Sequence, residues 1–357
     1  MDINTTLLKE IEDNHSILWE YGCNDSDITS FLTAKKKFLP RQRKAIRIIE
    51  SIMTEHGKKS LLKCVSELAK VEHDMKELLP HQRDHVVHAL LSYILGMYLN
   101  ERYLDASGKK AGVFQWKLAG LFHDIGYPLQ MSKAALMNPL AAKINEIKKL
   151  FGVKRTDVSF SIQPHNFDLL QNNINSFDLI QEVIDSWDLS INVRDEYREM
   201  LASDQVCHGM ISALTLLYVL DLMYEKYNPE RKYMDAFIPG TNINCNQKYF
   251  MEDIIPACAA IFLHNLPPRC FDKAKIDRKK APVAFLLKLA DCLQDWERPS
   301  GNDTKGLASN LFDIQIEDSG KLIVYMNIPE KRKKSIEAEI YSALLIPDIK
   351  FFDRATI

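Results

Sequence analysis

Five apolar stretches with helical spacing each carry a histidine or an aspartate where a plain core helix would carry leucine. They lie at 84–104, 113–124, 205–227, 248–265 and 282–297. Apolar residues three and four apart over runs this long predict α-helices, and a helix that is apolar nearly all round belongs in an interior. The breakers agree. Thirteen glycines and fourteen prolines in 357 residues fall well below the roughly 12% those two residues average. Long helices are therefore favoured over many short strands and turns. Gly126-Tyr127-Pro128 ends one helix, Asn228-Pro229 ends another, and Pro282 stands where a first-turn proline belongs.

The remaining segments fill in around these. Residues 5–21, 41–56 and 58–70 are amphipathic and predict helices, as does 131–151 with an interruption at Pro139. The polar segment 152–200 reads as short helices joined by loops, and 239–247 as an Asn-rich lead-in. The tail changes character: 312–317 alternates, 318–320 is a turn, 321–326 is a second strand, 330–345 an amphipathic helix and 349–352 a short apolar stretch. The expected fold is mainly α, with a small α+β C-terminal appendage. The expected organisation is an N-terminal helical region (1–78), a helical body (79–300) and a C-terminal unit (301–357).

Charge narrows the function classes. The chain has 46 basic and 48 acidic side chains and a formal net charge of −2, which argues against a surface built wholly to attract nucleic acid. Basic clusters at Lys35–Lys37 with Arg41, Arg43 and Lys44, at 273–280 and at 331–334 read as solvated faces. No aromatic residues are interleaved with them for base stacking; sequence-specific nucleic-acid binding is not expected. The N-terminus has no basic segment followed by an apolar one, and no apolar run reaches the ~20 residues of a spanning helix. Seven cysteines without a C-x-x-C pair read as reduced thiols. These features together predict a cytoplasmic protein with no membrane partner.

The residues that carry chemistry are imidazoles and carboxylates. An adjacent pair, His123-Asp124, ends the apolar helix Trp116-Lys-Leu-Ala-Gly-Leu-Phe. Burying a carboxylate there is costly unless a cation or metal compensates. A second pair, His73-Asp74, lies in the charged run Val71-Glu-His-Asp-Met-Lys-Glu and reads as solvated surface. His85 and His88 stand three apart on one helix face. His208 opens an apolar helix as Cys207-His-Gly-Met-Ile-Ser-Ala-Leu, and His264 ends another as Ile261-Phe-Leu-His-Asn. Asp291 sits inside Leu286-Leu-Lys-Leu-Ala-Asp. Imidazole with carboxylate and no thiolate suits Fe, Mn, Zn, Co or Ni more than Mg alone.

The order His, His-Asp, His, His, Asp resembles the HD-domain superfamily of helical metal-dependent phosphohydrolases, over roughly residues 80–300. The resemblance implies an HD-domain helical bundle for 79–300 and a dinuclear centre of divalent ions. His88, His123, Asp124 and Asp291 match the core metal ligands of the family. His208 and His264 match the additional histidines of two-metal members, in which the aspartate of the HD pair bridges both ions. His85 is either a replacement for His88 or a proton donor. The resemblance departs from the cyclic-di-GMP phosphodiesterase group, whose G-Y-P stands in an H-H-E-x-x-D-G-x-G-Y-P stretch absent here. It departs also from the deoxynucleotide triphosphohydrolases, since Gly209 follows His208 where they have glutamate.

Two ions lower the pKa of a water between them and neutralise phosphoryl oxygens. The implied activity is hydrolysis of a phosphomonoester or phosphodiester, with a nucleotide as the expected small-molecule partner. Asp124, His85, Lys117 and Arg83 are the candidate catalytic residues, with Lys288 as a further cation near a ligand and Asp295 and Arg298 as supporting partners. His85 and His264 are the imidazoles available to protonate a leaving group. His165 and Arg155 fall in a stretch between ligand helices that reads as a lid or a surface excursion. Two alternatives share these residues: an HD-fold di-iron oxygenase, and an HD scaffold that binds a nucleotide without turnover. Oligomeric state is left open, a homo-oligomer included.

Overall fold

The computed structural model describes residues 3–34, 38–54, 61–75, 84–133, 137–150, 175–203, 205–227, 236–238, 243–245, 247–296, 311–317, 320–346 and 348–353. Helices dominate, and their ends follow local chemistry. The single helix expected over 5–21 is two, α1 (Ile3–Asp13) and α2 (His15–Glu20). The break falls at Asn14, whose backbone N–H still bonds the Glu10 carbonyl at 3.0 Å and whose side-chain amide donates to Glu10 Oε1 at 2.8 Å. Next come α3 (Asp25–Leu32), α4 (Phe38–Thr54) and α5 (Leu62–Met75). Helix α6 (His85–Leu99) starts at Asp84, whose carboxylate accepts the Val87 N–H as an N-cap.

Helix α7 (Val113–Phe122) stops one residue before the His-Asp pair. The turn is His123–Gly126, and Tyr127 and Pro128 already belong to α8 (Tyr127–Ser132), with Pro128 in its first turn. There the missing N–H has no partner to lose. Pro139 stands second in α9 (Asn138–Leu150). After α10 (Ser176–Ser186), α11 (Val193–Ala202) and α12 (His208–Tyr227), two three-residue strands, β1 (Ala236–Ile238) and β2 (Ile243–Cys245), pair antiparallel. Strands this short show too little alternation to be read beforehand. Then α13 (Gln247–Tyr249) runs through a π-helical turn at Phe250–Ile254 into α14 (Ile255–His264), followed by α15 (Pro282–Leu293).

Interior placement follows composition. Every residue of α6 is buried, as are nine of the ten in α14. Both helices pack against α7 and α15, and α12 lies along α14. Fully buried Trp116 of α7 stacks on Tyr93 of α6, ring centroids 6.1 Å apart, and donates its indole N–H to the Tyr93 carbonyl. From the N-terminal region, α4 and α5 cover α6, and α5 also reaches α8.

The tail forms β3 (Leu311–Ile316), β4 (Leu322–Asn327), α16 (Glu330–Ala343) and β5 (Ile349–Asp353). The sheet order is β3-β4-β5, antiparallel then parallel. This unit is fastened to the body. Thr6 donates to Asp313 at 2.6 Å, and Arg278 and the Tyr103 hydroxyl both bond Asp348. The basic clusters are solvated faces in part. Lys280 pairs with Asp188 with both side chains exposed, whereas Arg41 is buried against Phe31 and bonds the carbonyls of Phe31 and Ala34, and Arg332 pairs with buried Asp295. Cys23, Cys64, Cys207, Cys258, Cys270 and Cys292 are free thiols. Among the described residues no helix is long and apolar enough to cross a membrane.

Candidate metal centre

Helix ends deliver most of the chemistry-bearing side chains to one place. His88 stands on the second turn of α6. His123 caps the C-terminus of α7 and Asp124 lies in the turn beyond it. His208 is the first residue of α12, His264 the last of α14, and Asp291 lies in the last turn of α15. Asp124 is the hub. Its Oδ2 is 3.7 Å from His88 Nε2 and 3.6 Å from His123 Nε2. Its Oδ1 is 3.3 Å from His208 Nε2 and 3.9 Å from His264 Nε2. Asp291 Oδ1 completes the first half, 2.9 Å from His88 Nε2 and 3.8 Å from His123 Nε2. In the second half, the Nε2 atoms of His208 and His264 are 3.3 Å apart.

Each imidazole is held from behind through Nδ1. The partner of His88 is Gln294 Oε1; that of His123 is the Gly120 carbonyl at 3.1 Å. For His208 it is Gln130 Oε1 at 2.8 Å, and for His264 the Ile261 carbonyl at 2.6 Å. For His88, His123 and His264 an oxygen at Nδ1 fixes the tautomer with the proton there, leaving the Nε2 lone pair directed inward; His208 Nδ1 lies between Gln130 Oε1 and the Asn265 side-chain amide, 3.2 Å away.

The fit to a cation rests on Asp124. Its side chain is buried, and neither carboxylate oxygen accepts a hydrogen bond. Burial by itself pushes a carboxyl pKa up. Positive charge does the opposite: carried by His123, His208 and His85 it outweighs burial and holds Asp124 well below the usual range, as an anion, and with neutral imidazoles a cation would have to supply it. Burial, with His123 and His208 close by, pushes His264 down to about 3, so it is a neutral ligand-ready base. A buried, unbonded carboxylate faced by lone pairs is unfavourable without a positive charge between them. Two groups, His88–His123–Asp291 and His123–Asp124–His264, have ligand atoms close enough to share an ion. With four imidazoles, two carboxylates and no thiolate, the set suits Fe, Mn, Zn, Co or Ni.

His85 stands beside this cluster with a different partner. Its Nδ1 and its backbone N–H both lie 2.6 Å from Glu72 Oε1, and its ring stacks on Tyr127 with centroids 3.7 Å apart. Glu72 comes from α5 and is held on its other oxygen by Gln42. Burial pushes the Glu72 carboxyl up to about 8, and the nearby Asp124 adds to that. The neighbouring His73 and Asp74 are exposed, as their charged setting implies. Glu72 itself is 5% exposed.

The two candidate lysines among the described residues bond backbone carbonyls. Lys117 is buried, and its ammonium bonds the Glu20 carbonyl at 3.2 Å. Six residues at about 100° each turn it roughly two-thirds of a revolution from His123, so sequence proximity gave the wrong direction. Lys288 bonds the His264 carbonyl and Glu339, and Asp295 receives Arg332 at 2.8 Å. Arg83, Arg155, His165 and Arg298, like Lys35–Lys37, lie outside the described residues.

Two glycines let the helices meet. A Cβ on Gly126 would come within 2.7 Å of the His208 carbonyl and the Ser212 N–H, both backbone of α12. A Cβ on Gly209 would come within 2.9 Å of the His264 ring, which accounts for the absence of a larger residue after His208. Gly126→Ala is expected to destabilise the protein by about 1–3 kcal/mol, with the loss seen as a lower urea midpoint. An unchanged midpoint would mean that α12 can retreat freely.

No protein-family model, curated protein or solved structure matches the chain.

Proposed function

We propose that the chain is a metal-dependent phosphohydrolase of the HD-domain type, built round a dinuclear His/Asp centre and acting on a small phosphate ester, a nucleotide being the first candidate, in the cytoplasm. One observation carries this reading: both oxygens of buried Asp124 lack hydrogen bonds and face four imidazole Nε2 atoms, two on each side. His88, His123 and Asp291 would hold one ion with Asp124 Oδ2, and His208 and His264 the other with Asp124 Oδ1. Two divalent ions there would supply Lewis acidity towards water and a phosphoryl group. Lys117, whose ammonium bonds the Glu20 carbonyl, takes no part in it.

The protein's own groups do the rest. Gln294, Gln130 and the carbonyls of Gly120 and Ile261 hold the imidazole orientations. Glu72 and His85, 2.6 Å apart at the edge of the cluster, hold a proton within reach of a leaving alkoxide. Protonating a leaving alkoxide is the general-acid role that phosphate-ester hydrolysis calls for.

The test is metal content of the purified protein, then a phosphate-release screen over nucleotides and cyclic dinucleotides with Mn²⁺. Turnover that vanishes in Asp124→Ala supports the proposal. Metal binding accompanied by oxygen uptake, with no phosphate released from any substrate, would replace it with an oxygenase.

A further inference from the structure

Helix α14 ends at His264, and the carbonyls of a helix's last turn have no partner within the helix. The His264 carbonyl is taken instead by Lys288 of α15, Nζ to O 2.8 Å. A lysine near a helix C-terminus suits both the free carbonyls and the dipole. Lys288, however, is buried between Leu287 and Leu289 on an apolar helix, where an ammonium needs a counter-charge. That charge comes from the C-terminal unit: Glu339 of α16 lies 2.6 Å from Nζ.

His264 transmits the position of this helix end to its ring, because its Nδ1 bonds the Ile261 carbonyl one turn back at 2.6 Å. Any shift of the α14 terminus therefore carries Nε2 with it. The imidazoles of the other half are held without this link, and only Asp291 there feels the Lys288 charge. His88 is oriented by Gln294, and His123 by Gly120.

We propose that Lys288 and Glu339 are positioning residues for the ion held by Asp124 Oδ1, His208 and His264, which makes the C-terminal unit a working part of the metal centre. The inference rests on the dinuclear reading above. Without Glu339 the buried ammonium loses its hydrogen-bonded counter-ion and keeps only the more distant charge of Asp291; its hold on the His264 carbonyl weakens, and the second half of the site loosens while the imidazoles of the first keep their own Nδ1 partners.

Counting bound ions by mass spectrometry after gel filtration tests this in the full-length protein, in Glu339→Gln, Lys288→Met and, as the one-ion reference, His208→Ala. Glu339 is 43% exposed, so Glu339→Gln is the variant that keeps the fold, checked by circular dichroism. Wild type should hold two ions. Glu339→Gln should bind its second ion 10–100-fold more weakly, as expected for losing an orienting partner. Adding Glu339→Gln to His208→Ala should cost no further metal. Two ions at wild-type affinity in Glu339→Gln, or parallel loss of both, would overturn the inference. A wild-type protein without metal would instead overturn the dinuclear reading, and this inference with it.

Discussion

Asp124→Ala is expected to leave the protein folded, unable to hold either ion and inactive. The carboxylate offers one oxygen to each half of the cluster and makes no hydrogen bond that its removal would break. Loss of turnover should exceed the roughly 10–100-fold that removing a mere orienting partner costs. Thermal unfolding provides a second readout. An ion present at about 100 times its Kd stabilises the native state by about 2.7 kcal/mol, and that gain should vanish in the variant. Without metal the variant should be no less stable than wild type, since it lacks a buried anion. A variant that still gains stability from Mn²⁺ or Zn²⁺ would remove Asp124 from the centre of the site.

His85→Ala and Glu72→Gln should separate proton transfer from metal binding. Positioned acids and bases contribute about 10²–10⁴-fold, so turnover should fall by that order while metal content stays at the wild-type level. Loss of ions in His85→Ala would make it a ligand. Glu72 also gives stability a pH signature. Its folded value, about 8, lies above the ordinary 4.5, so the native state keeps a proton that the unfolded chain releases between those values. Its contribution is complete below pH 4.5 and is lost as pH rises through about 8. Glu72→Gln should remove that slope, measured as urea midpoints across pH 5–9. An equal slope in the variant would place the titration elsewhere.

Much of the site was legible because its residues break a pattern. An imidazole or carboxylate in a run such as Leu286-Leu-Lys-Leu-Ala-Asp291 stands out against leucine, and the structure brings all six such residues together. Glu72 broke no pattern. Among Glu72, His73 and Asp74, only packing of α5 against α6 and α8 decides which one is buried. Gln130 and Gln294 were invisible for a related reason, since an amide in a helix end is ordinary until an imidazole nitrogen meets it. Lys117 failed in the opposite sense: it lies close to His123 in sequence but on another side of the helix.

From sequence alone came the kind of secondary structure, the central helices and the tail's strands and helix, because these follow from local spacing and from which side chains water rejects. Orientation was decided by tertiary structure. The Nε2 atoms face inward because oxygens on other segments, or a turn back, hold each Nδ1. The C-terminal unit, read as an appendage, reaches the site because Glu339 is the counter-ion that buried Lys288 needs. Such links join residues up to 206 positions apart, and no local pattern encodes a bond whose partner arrives only when the chain has folded.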